Sequence, residues 1–180
     1  MGPLELTFGV IVIFITLVAL ARGYAKELGN TVIILATIFV LSFFETRIVN
    51  LLNTVGPSLL GDDPATVNLF SSVLFEVIFI MAVFASYAGI TFDFPGRQVG
   101  APVGPLLTLA VGLLNGYLIA GTLWYYQDRF GYPSQLFSVI QLPLTATGQA
   151  LVAVVPQRLF ESPVYWMIPV AVLIILRVKG

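Results

Sequence analysis

The sequence predicts an all-α protein, a multi-spanning transmembrane helical bundle of four core spans and a fifth C-terminal span with short interfacial helices. Three observations predict it. Of 180 residues, 58% are hydrophobic and only 9% charged, which leaves too little polar surface to clothe a soluble domain of this size. Nearly all the charge falls between long apolar runs. One carboxylate, Glu76, breaks that segregation inside the run from Leu69 to Phe92.

A hydrocarbon core about 30 Å thick needs roughly 20 apolar helical residues. Leu4 to Ala21, Thr31 to Phe44, Leu69 to Phe92 and Pro105 to Tyr126 come near that length. The N-terminus carries Glu5 and no Lys or Arg ahead of its apolar run, which opposes a cleavable signal and leaves the first segment as a membrane helix. The second run is short, but Ile48, Val49, Leu51 and Leu52 follow Glu45, Thr46 and Arg47, so its helix is expected to continue into the interface. Asp63 before Pro64 supplies an N-cap and first-turn residue for the helix entering the third span. The chain then divides into a four-span bundle (1–126), an interfacial amphipathic segment (127–163) and a fifth membrane helix with its tail (164–180). In the middle part Pro133, Pro143, Pro156 and Pro163 punctuate short apolar pieces. Ser134 is placed to cap a helix with Leu136, Phe137 and Ile140 on one face, and Gln149 to Val155 forms a second piece; both are expected on the membrane surface or across the bundle mouth. The fifth span, Val164 to Leu176, is short for a bilayer and needs local thinning or its flanking residues drawn in.

Short cytoplasmic loops collect Lys and Arg. With the N-terminus outside and five spans, Arg22, Lys26, Arg97, Arg177 and Lys179 lie inside, against Arg47, Arg129 and Arg158 outside. The expected protein is therefore a multi-pass membrane protein, N-terminus out and C-terminus in.

Four constellations could carry function. At the inner end of the first helix, 100° per residue puts Ala19, Gly23 and Glu27 on one small-residue stripe, with Arg22 and Lys26 together on a neighbouring face. The first face suits close packing; Arg22, Lys26 and Glu27 suit headgroups or a partner. In the fourth span Gly104, Thr108, Gly112, Gly116 and Ala120 recur every fourth residue, continuing from Gly100, and let another backbone approach where lipid supplies no hydrophobic drive. Its expected partner is the third span, through Ala82, Ser86 and Gly89, or another copy of the chain. Glu76 lies roughly 7 Å from the centre of its span at about 1.5 Å per residue; low-dielectric surroundings favour its neutral form unless a cation or water reaches it. Asn115, Tyr117 and Thr122 are its expected partners. Asp62 and Asp63 are adjacent acids, weak as a calcium signal beside the capping role.

Composition also excludes. Without cysteine or histidine there is no disulfide, no thiol chemistry and no histidine ligation of zinc, haem or chlorophyll. Nine acidic against eight basic residues form no patch that follows a phosphate backbone, so nucleic acid is not an expected partner. No nucleophile-plus-base neighbourhood stands out, so no enzyme, cofactor or metal is expected. The expected partners are the lipid bilayer and membrane proteins or further copies of the chain.

An apolar first span ending in Arg22-Gly23 with Glu27 beyond, a polar-broken second span, the Gly-rich stretch Gly100 to Gly121 and a Pro-punctuated amphipathic tail together resemble the colicin V production (CvpA-like) family of integral membrane proteins. Roughly residues 4 to 155 carry the resemblance. The apolar tail from Val164 to Arg177 departs from it. The resemblance implies an inner-membrane protein linked to toxin export and envelope maintenance. Packing signals outnumber chemical ones, so the residues themselves favour a small scaffold or accessory protein. Two other readings stand beside it: an accessory subunit of a large respiratory or photosynthetic complex, and a channel or proton-coupled transporter using Glu76.

Overall fold

The computed structural model describes residues 3–61, 63–89, 94, 100, 102–137 and 142–179. These form seven α-helices and one 3-10 helix, with no strand among the described residues. Helix α1 (Pro3–Arg22) carries Glu5 in its first turn and Arg22 in its last, the sign that each end of a helix dipole favours. Gly23 then reverses the chain alone. Its φ of 88° and ψ of 159° lie where a Cβ is excluded; its N–H closes α1 on Ala19 O at 2.9 Å, and its carbonyl accepts from Glu27 N at 3.2 Å to open α2. The expected stripe of Ala19, Gly23 and Glu27 on one helix is therefore corrected: Gly23 is a hinge between two helices.

Helix α2 (Tyr24–Leu60) has 37 residues, about 55 Å at 1.5 Å per residue. It overruns the predicted second span at both ends, continuing through Glu45 and Arg47 as expected. Gly61, at φ 90°, ends it. Asp63 caps α3 (Pro64–Ala88), accepting from Ala65 N and Thr66 N at 3.2 Å each, with Pro64 in the first turn. Asp62, and with it the paired-acid reading, lies outside the described residues, as do residues 90–92 at the end of the predicted third span, Arg97 and Ile140. Helix α4 (Val103–Arg129) closes the bundle, and α1 to α4 are each long and apolar enough to cross a membrane.

Contacts fix the helix directions. Val12 faces Gly116 while Thr16 and Ala19 face Gly112, so α1 runs antiparallel to α4. Helix α2 runs parallel to α4, because Thr31 meets Asn115 whereas Glu45 meets Tyr125 and Arg129. Helix α3 is antiparallel again. Phe75 stacks on Tyr126 at 4.8 Å, a geometry worth about 0.5–1.5 kcal/mol, and joins Ile34, Ile38 and Phe79 in the main apolar core. Outside, Leu6, Ile13 and Leu17 of α1, Met81 and Phe84 of α3 and Leu106 of α4 are exposed, the apolar surface that acyl chains cover.

Beyond α4 come the 3-10 helix Pro133–Phe137, then α5 (Ala146–Ala153), α6 (Pro156–Leu159) and α7 (Val164–Lys179). Ser134 lies within the 3-10 helix rather than capping it. Helices α5 and α6 lie against the side of the bundle: Val154 O accepts from Tyr117 Oη, Pro156 sits on Gly121, and Gln157 Nε2 donates to Thr122 Oγ1 at 2.9 Å. Helix α7 packs along α2 through buried Trp166 and Val170. Its 16 residues span only about 24 Å.

Candidate functional site

The carboxylate most completely removed from solvent is Glu27, not Glu76. Glu27 has no exposed surface, and neither have Asn30 and Asn115. Because α2 starts at Tyr24, Glu27 sits in its first turn, where the helix dipole favours an anion. Residues 27, 30 and 31 then share one face of α2 and turn toward α4 and α3. Arg22 Nε lies 3.1 Å from Glu27 Oε1 as an ion pair outside hydrogen-bond alignment, and Arg22 Nη1 donates to Tyr87 O at 2.7 Å. Asn30 Nδ2 donates to Glu27 Oε1 at 3.2 Å. Tyr87 Oη and Asn115 Nδ2 donate to Oε2 at 3.0 and 3.1 Å. Thr31 Oγ1 lies 2.7 Å from Asn115 Oδ1 and 2.9 Å from Glu27 O, sharing its one proton between them. Four helices are thus tied to one carboxylate. The expected headgroup role of Glu27 and Arg22 is corrected: both charges are spent inside the protein, and of the three residues only Lys26 is exposed.

Glu76 has other partners than expected. Ser72 Oγ and Gln127 Nε2 donate to its Oε1 at 2.8 and 2.5 Å, and Gln127 Oε1 accepts from Ser134 Oγ at 2.6 Å. Asn115 serves Glu27, Tyr117 serves Val154 O and Thr122 serves Gln157. A cavity of about 190 Å³ between α1, α3 and α4 is lined by Glu76, Gln127 and Ser134 on its polar side and by Phe8, Leu123 and Trp124 on its apolar side.

The small-residue stripe of α4 meets α1, and the expected contact through Ala82, Ser86 and Gly89 of α3 is corrected. A Cβ on Gly112 would stand 2.7 Å from Ala19 Cβ, and one on Gly116 would stand 2.8 Å from Val12 Cα. Gly104 and Thr108 are buried farther along the helix, where Thr108 Oγ1 donates to Gly104 O at 2.9 Å; Ala120 is buried beside the Glu76 cavity. Of the residues expected on the α1 stripe only Ala19 lies in this seam; Val12 and Thr16 supply the rest of it.

Sequence reasoning missed Tyr87, Gln127 and Ser72, which no local pattern marks. It also missed a rim of ion pairs at the far end: Arg129 Nε to Glu45 Oε1 at 2.9 Å, with Tyr125 Oη donating to Glu45, and Arg158 to Asp128. The spacing of Glu27, Asn30 and Thr31 was a readable signal for a buried polar face. No family model, curated protein or solved structure matches this chain. The site stands on its own geometry.

Proposed function

We propose that this chain is a small integral membrane scaffold that binds partner proteins, and that the outer half of α2 is its docking surface. The observation carrying this is the overrun of α2. Glu45 pairs with Arg129 at the last turn of α4, so Thr46 to Leu60 projects past the end of α4, alongside the first turns of α3, where Val67 meets Gly56. On that projection Leu51, Val55 and Leu59 are all exposed, Leu59 by 76%. Spacing of four places them on one stripe. An apolar stripe on a helix that has outrun its neighbour α4 suits the groove of a partner helix. The chemistry inside the bundle points the same way, since Glu27 and Arg22 neutralise each other and serve packing.

The N-terminus is read as outside, because with five spans Arg22, Lys26, Arg97, Arg177 and Lys179 fall on the inner side against Arg47, Arg129 and Arg158 on the outer, and the inner (plasma) membrane is what the resemblance to the colicin V production family implies. The resemblance to the colicin V production family would tie the scaffold to toxin export or envelope maintenance. Photo-crosslinking from position 59 in intact cells tests the reading. A discrete protein adduct is expected there and only lipid adducts from Leu6, which is 63% exposed on α1; lipid adducts alone at both positions would refute a docking stripe.

The rival with an observation behind it is proton-coupled transport through Glu76, which lines a cavity. Glu76→Gln keeps size and hydrogen bonding but cannot exchange a proton. The scaffold reading expects unchanged assembly and phenotype. Normal assembly with abolished proton flux in proteoliposomes would replace it.

A further inference from the structure

Helices α1 and α3 both pack on α4 and scarcely meet each other, which leaves a cleft between them along the face of α4. One part is a cavity of about 340 Å³ walled by Phe14, Val18, Val83 and Phe84, with no charged residue in its wall. Ile80 lines it and also lines the smaller cavity of about 190 Å³ that holds Glu76, Gln127 and Trp124. The two are successive stretches of one cleft, an apolar shaft with a carboxylate at one end.

That carboxylate lacks a counter-ion among the described residues. Arg22 is taken by Glu27, Arg129 by Glu45 and Arg158 by Asp128. The hydrogen bonds from Ser72 and Gln127 both reach Glu76 Oε1. A carboxylate beside an apolar cleft is stabilised most by a ligand that carries a cation at one end and hydrocarbon behind it. Fatty acids and phosphate amphiphiles would bring like charge to Glu76.

We propose that the cleft binds a single-chain aliphatic amine, its ammonium on Glu76 and its chain running past Ile80 toward Phe84. This site is independent of the docking stripe on α2. Its position also supplies a reporter: the chain has two tryptophans, of which Trp124 lines the polar end of the cleft and Trp166 lies on α7. Trp166 Nε1 has no hydrogen-bond partner and its ring meets Phe160 edge-on, so Trp166→Phe keeps the packing and isolates Trp124.

The full chain carrying Trp166→Phe, in phosphatidylcholine vesicles, is titrated with dodecylamine brominated in mid-chain and with the equivalently brominated alcohol and carboxylic acid. Bromine quenches indole fluorescence at contact, and the converse variant, Trp124→Phe, measures quenching by bulk partitioning through Trp166. The expected result is saturable quenching of Trp124 by the amine at about one-tenth the concentration the alcohol needs, the order that a charge-assisted contact supplies, with the acid weakest. Glu76→Gln should bring the amine to the level of the alcohol. Ile80→Phe, which fills the shaft and leaves the acid in place, should weaken both. Equal quenching by amine and alcohol in the parent, or an unchanged amine response in folded Glu76→Gln, overturns the proposal. If Glu76→Gln loses its helical circular dichroism, the parent's amine-to-alcohol ratio and Ile80→Phe decide. Phosphatidylethanolamine presents an ammonium on two chains; if it displaces the probe as well as unlabelled dodecylamine does, the single-chain assignment is wrong.

Discussion

Glu27 shows how one side chain can organise a membrane bundle. A buried carboxylate persists only when its charge and lone pairs are met, and here Arg22, Asn30, Tyr87 and Asn115 meet them from α1, α2, α3 and α4. Removing one partner strands the others. Glu27→Leu should therefore cost about 3–5 kcal/mol, the range for breaking a buried pair, toward its lower end because the Arg22 side chain keeps 23% of its surface exposed. The double variant Arg22→Met with Glu27→Leu should recover part of that loss, since no charge is then left unpaired. Unfolding of the detergent-solubilised protein by increasing dodecyl sulfate measures both; additive losses would show that the pair is not coupled. At the fully exposed cap of α3, hydrogen bonds from Thr66 and Ala65 hold the Asp63 carboxyl below its ordinary value of 3.8. A group depressed in the folded state contributes stability that is complete above its unfolded value and lost as pH falls through the lower folded one. Protection of the Ala65 and Thr66 amides, taken relative to the intrinsic exchange rate at each pH, should hence hold down to about pH 4 and fall only below it. A loss of protection between pH 7 and 5 would mean that another group holds this turn.

Between elements, lipid offers helices no hydrophobic reason to associate, so close backbone approach and interhelical hydrogen bonds have to suffice. The seam between α1 and α4 depends on Gly112 and Gly116, where an added Cβ meets backbone or a rigid Cβ. Gly116→Leu should separate the two helices and lower thermal stability in detergent far more than Leu113→Ala, whose side chain is 46% exposed. Leu118 would be a poor comparison: it is 3% exposed within the core, and truncating it opens a cavity of its own at about 2–5 kcal/mol. Similar melting temperatures for Gly116→Leu and Leu113→Ala would mean that α1 does not need this contact. The stripe itself was legible in the sequence, because a spacing of four projects onto one face whatever the neighbour is. Its partner was not, because periodicity says which face is small and nothing about which helix meets it. The same limit explains Glu76: its own position was plain, while Gln127 and Ser134 reach it only through the way α4 and the following turn pack.

At the scale of the whole molecule, helix count and type were legible because each long run of apolar residues has one hydrogen-bonding solution in a bilayer. Element ends were less so, and α2 shows why: propensity carries a helix well past its apolar stretch, so hydropathy alone understates its 37 residues. Alternation of α1 to α4 puts the α2–α3 turn at the same end as Glu5 and the α1–α2 turn at the other. Single cysteines replacing Asp63 and Lys26 turn this into an orientation test. With five spans, Arg22, Lys26, Arg97, Arg177 and Lys179 on one side against Arg47, Arg129 and Arg158 on the other predict that an impermeant thiol reagent labels position 63 in intact cells and leaves position 26 unlabelled until the membrane is opened. The reverse pattern would invert the molecule. Helix α7 enters the same experiment. At about 24 Å it is shorter than a typical hydrocarbon core, yet most of its surface is apolar and exposed beside α2, which favours crossing with local thinning over lying flat. Cysteines placed at the two chain ends should then label oppositely, the N-terminal one from outside; equal labelling of both would mean that α7 returns without crossing.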